Sequence, residues 1–303
     1  MNGAKIIITG LTGQVGEPVA KAFAADNEVI GLARYSDATI KQRLEDAGVE
    51  CVPVDLAAGD LGRVPTDADY VLNFAVSHGG EKDWDWDLTL NAEATGLLME
   101  HCKDARAFLH CSSTGVYQPA GAHQLKETDP LGDNHRAMLP TYSICKIAAE
   151  AVARTAARQF DLPTTIARLN VPYGDNGGWP AFHLEFMLGN APVPILPDDP
   201  NLYNPIHEDD IIEQVPRLLD IASVPATILN WGGPEQVSVK EWCEYIGELT
   251  GLDPALVETE QTIGSVTIDT TRMHELIGEA KVQWKDGFRR MVEARHPELL
   301  TNA

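Results

Sequence analysis

Lys5-Ile6-Ile7-Ile8-Thr9-Gly10-Leu11-Thr12-Gly13-Gln14-Val15-Gly16 is the stretch that decides the fold. A short apolar strand runs into three glycines spaced GxxGxxG, and a helix-forming segment, Glu17 to Ala25, follows at once. A strand that is apolar throughout is one buried on both faces, as in a parallel sheet. Glycines at this spacing permit a tight turn and close backbone approach, and the helix N-terminus behind them presents N–H groups to an anion. Strand, turn and helix in that order predict a site for the pyrophosphate of a dinucleotide, with Gly10, Thr12, Gly13, Gln14, Val15 and Gly16 around it.

Working outward, β-branched runs alternate with helical stretches. Strands are expected at 28–32, 49–54, 70–74, 107–111 and 164–169, and helices at 36–47, 88–102 and 141–160. This order argues an α/β fold, a Rossmann-type doubly wound parallel sheet. After Asn170 the texture changes. Pro172, Gly174, Gly177, Gly178, Pro180, Pro192, Pro194, Pro197, Pro200 and Pro205 crowd one stretch, which reads as loop. Helices are expected at 209–221, 238–250 and 285–294, and 226–231 reads as a strand returning to the main sheet. Residues 1–170 are thus assigned to the dinucleotide-binding domain, with 206–231 returning to it. Residues 171–205 and 232–303 form a smaller, loop-rich C-terminal substrate-binding part.

The composition narrows the partners. The chain has 303 residues, 45 acidic against 23 basic, for a formal charge of −22. That excess repels phosphate backbones and anionic lipids, so neither nucleic acid nor a membrane is expected as partner. No apolar run reaches the roughly 20 residues of a membrane span, and no signal-peptide pattern precedes the first strand. Five cysteines without CxxC spacing suit reduced thiols in the cytoplasm. No Cys, His and Asp set has metal-ligand spacing, so no metal is expected.

Two further places carry chemistry. Tyr142-Ser143-Ile144-Cys145-Lys146 opens the long helix, and its tyrosine and lysine lie one turn apart on one face. A nearby ammonium favours phenolate, so Lys146 is expected to lower the pKa of Tyr142 and suit it to acid–base work. Cys111-Ser112-Ser113-Thr114-Gly115-Val116-Tyr117 places hydroxyls at the C-terminal end of a strand, where such sheets bind ligands. The second strand ends in Ala33 and Arg34, where an acid that would bind ribose hydroxyls is missing. Arg34 suits the 2′-phosphate of NADP, which is therefore expected ahead of NAD. Asp37 reads as a helix cap, and Asp55, followed by Leu56, closes the third strand towards the adenine edge.

With these motifs together the chain resembles the extended short-chain dehydrogenase/reductases, of the NAD-dependent epimerase/dehydratase type. Asn73-Phe74-Ala75, Arg168-x-Asn170-Val171-x-Tyr173-Gly174 and Pro205-Ile206-His207-Glu208-Asp209-Asp210 carry the likeness further. The resemblance implies that Tyr142 is the acid–base, Lys146 its modulator and ribose ligand, and Ser113 the catalytic hydroxyl with Thr114 as fallback. It also implies Ala75 and Val171 at the cofactor, and a homodimer in which the helix holding Asn91 and the one from Thr141 to Phe160 build a four-helix bundle. Two departures matter. Asn201 to His207 lacks the Arg with which nucleotide-sugar members often clamp a diphosphate, and Thr114-Gly115 stand where dehydratases carry Asp-Glu. The expected function is therefore an NADP(H)-dependent oxidoreductase interconverting a small carbonyl compound and its alcohol. The alternative is a sugar-nucleotide epimerase with tightly bound NAD(P), and a non-catalytic dinucleotide sensor is the third reading. His78, Trp179 and Tyr203, with Thr114, are expected to meet the substrate, and His183, Trp84 and Trp86 are further aromatic candidates.

Overall fold

The computed structural model describes residues 1–77 and 83–300. Its centre is a seven-stranded parallel sheet. The strands are β1 (Lys5–Thr9), β2 (Glu28–Ala33), β3 (Glu50–Pro53), β4 (Tyr70–Asn73), β5 (Ala107–Ser113), β6 (Thr164–Leu169) and β7 (Thr227–Trp231). They lie in the order β7-β6-β5-β4-β1-β2-β3, so the chain reverses direction of travel beside β1. A crevice opens at that switch point, outside the carboxyl ends of the strands.

The alternation of side chains along β1 explains the two covered faces. Ile6 and Ile8 pack with Val19, Ala20 and Phe23 of α1 (Gly16–Ala24) and with Ile211, Val215 and Leu218 of α7 (Glu208–Asp220). Ile7 points the other way, into a layer with Leu98 and Met99 of α4 (Ala94–His101) and Ala153, Ala156 and Ala157 of α5 (Tyr142–Phe160). Alanines on the inner face of α5 let that helix lie close against the sheet. Helix α2 (Ala38–Asp46) is capped by Asp37, whose carboxylate accepts from the Thr39 and Ile40 amides.

A third core holds the C-terminal part together. Tyr203, Trp242, Phe288 and Met291 sit at its centre, contributed partly by α8 (Val239–Thr250) and α10 (Trp284–Arg295). The strand 227–231 pairs with β6 in register Thr227 to Thr165 through Trp231 to Leu169, which returns the chain to the main sheet.

Two stretches depart from the sequence-based expectation. The helix expected at 88–102 begins earlier, as α3 (Trp84–Leu88) capped by Asp83, and passes through a wide π turn at Thr89–Glu93 before α4. The π turn lets the Asn91 side chain accept from the Ser77 amide and donate to the carbonyls of Ser77 and Asp87. The Pro/Gly-rich stretch, expected as loop, contains α6 (Trp179–Leu188) with Pro180 in its first turn, and a small sheet of 172–174, 177–178 and 206–207. A proline at the start of a helix gives up no intrahelical bond, so it marks a beginning there and not a break.

Candidate active site

The glycine turn is shaped to receive an anion. Gly10 has φ +71°, and a Cβ there would stand 2.6 Å from the Phe74 carbonyl carbon. A Cβ on Gly16 would come within 2.3 Å of the Gly10 carbonyl oxygen. No side chain caps the N-terminus of α1, so its amides point towards whatever lies on the turn. Gln14 is engaged elsewhere: its amide bonds to Asn176, and Asn176 Nδ2 donates to the Gln14 carbonyl at 3.2 Å. That link ties the C-terminal part to the turn. Thr9 Oγ1 donates to Asn73 Oδ1 at 2.7 Å and accepts from the Ala75 amide at 3.1 Å, which fixes Ala75 beside the turn.

At the far end of the same sheet edge, Arg34 is exposed. Asp37 is held by its capping bonds. Asp55 accepts from the Ala57 amide at 3.0 Å and caps the single turn of 3₁₀ helix over Leu56–Ala58, with Leu56 buried beneath it. The residues present fit a nicotinamide dinucleotide: a turn in which Gly10 and Gly16 leave no room for a Cβ, at an uncapped helix end, next to the carboxyl edge of the sheet.

The chemistry-bearing groups converge at the end of β5. Tyr142 is the first residue of α5, and its phenol shares a hydrogen bond with the Ser113 hydroxyl, which also accepts from the Gly115 amide at 3.0 Å. Lys146 is buried, and its ammonium donates to the Cys111 carbonyl at 2.9 Å. The expected lowering of the Tyr142 pKa by Lys146 is corrected here. Burial of the hydroxyl pushes Tyr142 up to about 12, with the Ser113 hydrogen bond opposing the rise. Burial also lowers the Lys146 pKa. The physical reason is that the ammonium is drawn down onto the strand carbonyl while desolvation acts on the phenol directly.

A buried ion pair carries this constellation. Arg168 of β6 donates to Glu150 of α5 through Nε at 2.9 Å and a terminal nitrogen at 2.7 Å. Ser112 Oγ donates to the same carboxylate at 2.6 Å. Thr141 Oγ1 donates to Asp87 at 2.6 Å, which fastens the other side of the helix start. The helix bearing Tyr142 and Lys146 is therefore bonded to the strand bearing Ser113 through Glu150 and Lys146, and to α3 through Thr141.

The model of the NAD dependent epimerase/dehydratase family matches residues 6–230, three quarters of the chain. The chain belongs to that family. Solved structures agree in fold. The UDP-glucuronic acid 4-epimerase of Bacillus cereus, with UDP-glucuronic acid and NAD, is 22% identical with a TM-score of 0.82 over 96% of this chain and 98% of its own. The UDP-glucose 4-epimerase of Thermotoga maritima, with UDP-glucose, is 21% identical with a TM-score of 0.82 over 99% and 100%. The dTDP-glucose 4,6-dehydratase DesIV of Streptomyces venezuelae, with NAD, is 20% identical with a TM-score of 0.81 over 96% and 97%. No curated protein matches the chain by sequence.

Within this epimerase/dehydratase framework the substrate side departs most from the sequence-based expectation. Tyr203 is fully buried, and its hydroxyl is held between the carbonyls of Ile263 and Gly264 at 2.9 and 2.7 Å. Trp179 packs edge-on against Tyr203 and Trp242, and the Trp242 indole donates to His183 at 2.8 Å. Tyr203, His183 and Trp242 are buried in the C-terminal core, with Trp179 half-buried against them. Thr114 is buried and donates to the Leu169 carbonyl while accepting from Asn170. Trp84 and Trp86 are exposed at the start of α3. Val171 adopts φ +24°, a strained value for a β-branched residue, beside the end of β6. His78 lies outside the described residues.

One cavity among the described residues lies away from these rings. It has a volume of 610 Å³ and lies between the segment 133–140 and residues 196–199 and 260–265. Asp133, Arg136, Asp199 and Glu260 supply its charges. The segment 133–140 leads directly into Tyr142, and His135 within it stacks on the Tyr142 ring at 5.4 Å between centroids. The sequence reading singled out neither His135 nor Arg136. The one available signal was their closeness in sequence to Tyr142. Among the described residues no helix is long and apolar enough to cross a membrane, and no group of His, Cys, Asp and Glu has the geometry of a metal site.

Proposed function

We propose that this chain is a nicotinamide-dependent hydride-transfer enzyme of the sugar-nucleotide epimerase kind, with NAD retained through the cycle. The observation that carries the reading is the convergence of Ser113, Tyr142 and Lys146 at the carboxyl end of β5, on the same sheet edge as the glycine turn. The two 4-epimerases among the solved structures support the epimerase form over net reduction of a small carbonyl compound, and the NAD named with the Bacillus cereus enzyme and with DesIV moves that cofactor ahead of NADP.

The chemistry the nicotinamide supplies when bound is hydride acceptance and return. The chain's own residues do the rest. Ser113 orients the substrate oxygen by a hydrogen bond. Tyr142 would accept the proton of that hydroxyl as phenolate in the oxidation half and return it as phenol in the reduction half; burial, which pushes its pKa up to about 12, favours the phenol that the second half uses. Lys146 holds the ribose side of the cofactor. Gly10, Thr12, Gly13, Val15 and Gly16 cradle the pyrophosphate, Asp55 and Leu56 meet the adenine, and Ala75 and Val171 meet the ring system. A homodimer through α4 and α5 belongs to the same reading, supported by Leu97 and Ile144 left exposed on those helices.

A second reading, net redox of an uncharged carbonyl compound with NADP, is favoured by the three carboxylates against one guanidinium in the cavity and by exposed Arg34. One experiment separates them. The protein is incubated with UDP-glucose or UDP-glucuronic acid and NAD, and in parallel with a ketone panel and NADPH. The 4-epimer, formed without net NADH, is the expected product and is read by NMR. Turnover only in the NADPH arm replaces the first reading with the second.

A further inference from the structure

The imidazole of His135 lies against the phenol of Tyr142 with 5.4 Å between centroids and 24° between planes. That is an offset stack and not a chance edge contact. Three bonds hold it there. The His135 amide donates to Ser143 Oγ at 3.3 Å, one residue past Tyr142. His135 Nδ1 bonds to Asn134 Oδ1. Asn134 Nδ2 donates to the Thr114 carbonyl at 3.1 Å. Because the Asn134 amide nitrogen is committed to a carbonyl, its oxygen is the atom that faces the imidazole, so His135 Nδ1 carries a hydrogen and donates to it.

The opposite side of both rings is equally defined. A Cβ on Gly115 would stand 3.1 Å from Tyr142 Cε1 and 3.2 Å from His135 Cε1 and Nδ1. The bare backbone of residue 115 is thus the floor on which the two rings rest together. Residues 133, 134, 136 and 137 line the cavity, which puts His135 at the junction of cavity wall and phenol.

We propose that His135 is a positioning residue for proton transfer: its imidazole stacks on the Tyr142 phenol and fixes the plane in which the hydroxyl meets Ser113. The inference rests on the reading of Tyr142 as the acid–base. Among the described residues the titratable groups on the elements around the phenol include Cys111 from β5, Lys146 from α5, whose ammonium sits on the Cys111 carbonyl, and His135 from the segment before α5. Removing His135 admits water to the phenol, so the desolvation that raises its pKa is relieved in part.

The test uses NAD-loaded protein carrying fluorotyrosine, with the residue 142 signal identified by its loss in Tyr142→Phe. His135→Ala is expected to lower the apparent pKa of residue 142 by about one unit, a tenfold change in phenolate fraction. His135→Phe, which keeps a flat ring, is expected to restore it. In turnover of UDP-glucose or UDP-glucuronic acid, His135→Ala is expected to cut kcat about 10-fold with the KM for the sugar nucleotide unchanged. An unmoved titration in His135→Ala, or a Phe variant that behaves as Ala does, overturns the proposal. Thermal melts of each variant separate either outcome from misfolding, and the Phe variant keeps the test open where the Ala variant fails to fold. If Tyr142→Phe keeps full turnover, the acid–base reading itself fails; if it is inactive while His135→Ala titrates as wild type, only the positioning role falls.

Discussion

Replacing Glu150 by Ala tests how the site is held. The wild-type carboxylate receives two charged N–H bonds from Arg168, at 2.9 and 2.7 Å, and one hydroxyl bond from Ser112 at 2.6 Å. Both side chains of the pair are 3% exposed. Deleting one partner leaves a buried guanidinium with only the Tyr117 ring, 4.8 Å away, and the Glu127 carbonyl at 3.1 Å. Breaking a buried pair in this way costs about 3–5 kcal/mol, because the remaining charge is uncompensated. For a chain of this size each kcal/mol moves the melting point by about 2 °C, so the drop is roughly 6–10 °C. Removing both charges with Glu150→Leu and Arg168→Met restores most of it, since the pair itself contributes little beyond an apolar replacement. Calorimetry of the two single variants and the double variant closes the cycle. A Glu150→Ala loss below about 1 kcal/mol refutes the reasoning, as it means that water reaches Arg168. The same variant is expected to lose turnover at temperatures where it is still folded, because Ser112 and α5 are no longer tied together.

Three further outcomes follow from particular groups. Tyr142→Phe removes the proton donor and is expected to lower kcat at least about 100-fold while NAD binding, followed by fluorescence of bound NADH, stays within a few-fold. Arg34→Ala is expected to weaken NADP binding about 10-fold and leave NAD binding unchanged, as an exposed guanidinium can contact only the 2′-phosphate; equal losses for both cofactors in calorimetric titration refute that placement. Glu208 is pushed up from 4.5 to about 7 by burial, so its folded form holds the proton more tightly than the unfolded one. Its contribution is favourable below pH 4.5 and is lost as pH rises through about 7. Glu208→Gln is therefore expected to raise the melting point above about pH 8 and change little at about pH 4; melts that shift equally at both pH values contradict the sign.

Local patterns were legible in the sequence, and so was the parallel sheet to which 227–231 returns, whereas side-chain packing between distant segments was not. The turn from Gly10 to Gly16 and the i, i+4 pair of Tyr142 and Lys146 depend on backbone geometry within a few residues, and both are found where the spacing puts them. Asp37 as a cap is local in the same sense. The packing of Tyr203 and Trp179 in the C-terminal core was not legible, because aromatic residues in a Pro/Gly-rich stretch look the same whether they line a pocket or fill a core. Only the packing of α8 and α10 against them decides. The Tyr142 pKa was misjudged for a related reason. The lysine is one helical turn away and visible in the sequence, whereas the burial that dominates comes from segments far apart along the chain. His135 escaped notice because its position depends on where Asn134 and Ser143 anchor a loop, and no residue spacing encodes that.

The cavity offers the sharpest test of the substrate class. A nucleotide diphosphate seated there would feel Asp133, Asp199 and Glu260 against Arg136. Asp199 is already occupied, accepting from the amides of Asn201 and Ser265 and from the Ser265 hydroxyl at 2.6, 2.9 and 2.5 Å. Its Oδ1 holds the loop through these three bonds, so replacing Asp199 would disturb the cavity wall and Glu260 is the better charge to remove. A unit charge about 8 Å from a phosphate in a water-like medium is worth about 0.5 kcal/mol, or about twofold in affinity per phosphate charge. Glu260→Gln is thus expected to tighten UDP binding about two- to fourfold, and Arg136→Ala to weaken it by at least as much. Both effects should shrink in high salt, where exposed charges are screened. If calorimetric titration finds UDP affinity indifferent to both substitutions, the diphosphate does not enter this cavity. If UDP does not bind at all while an uncharged ketone turns over with NADPH, the carboxylates are instead the means by which this member of the family excludes sugar nucleotides.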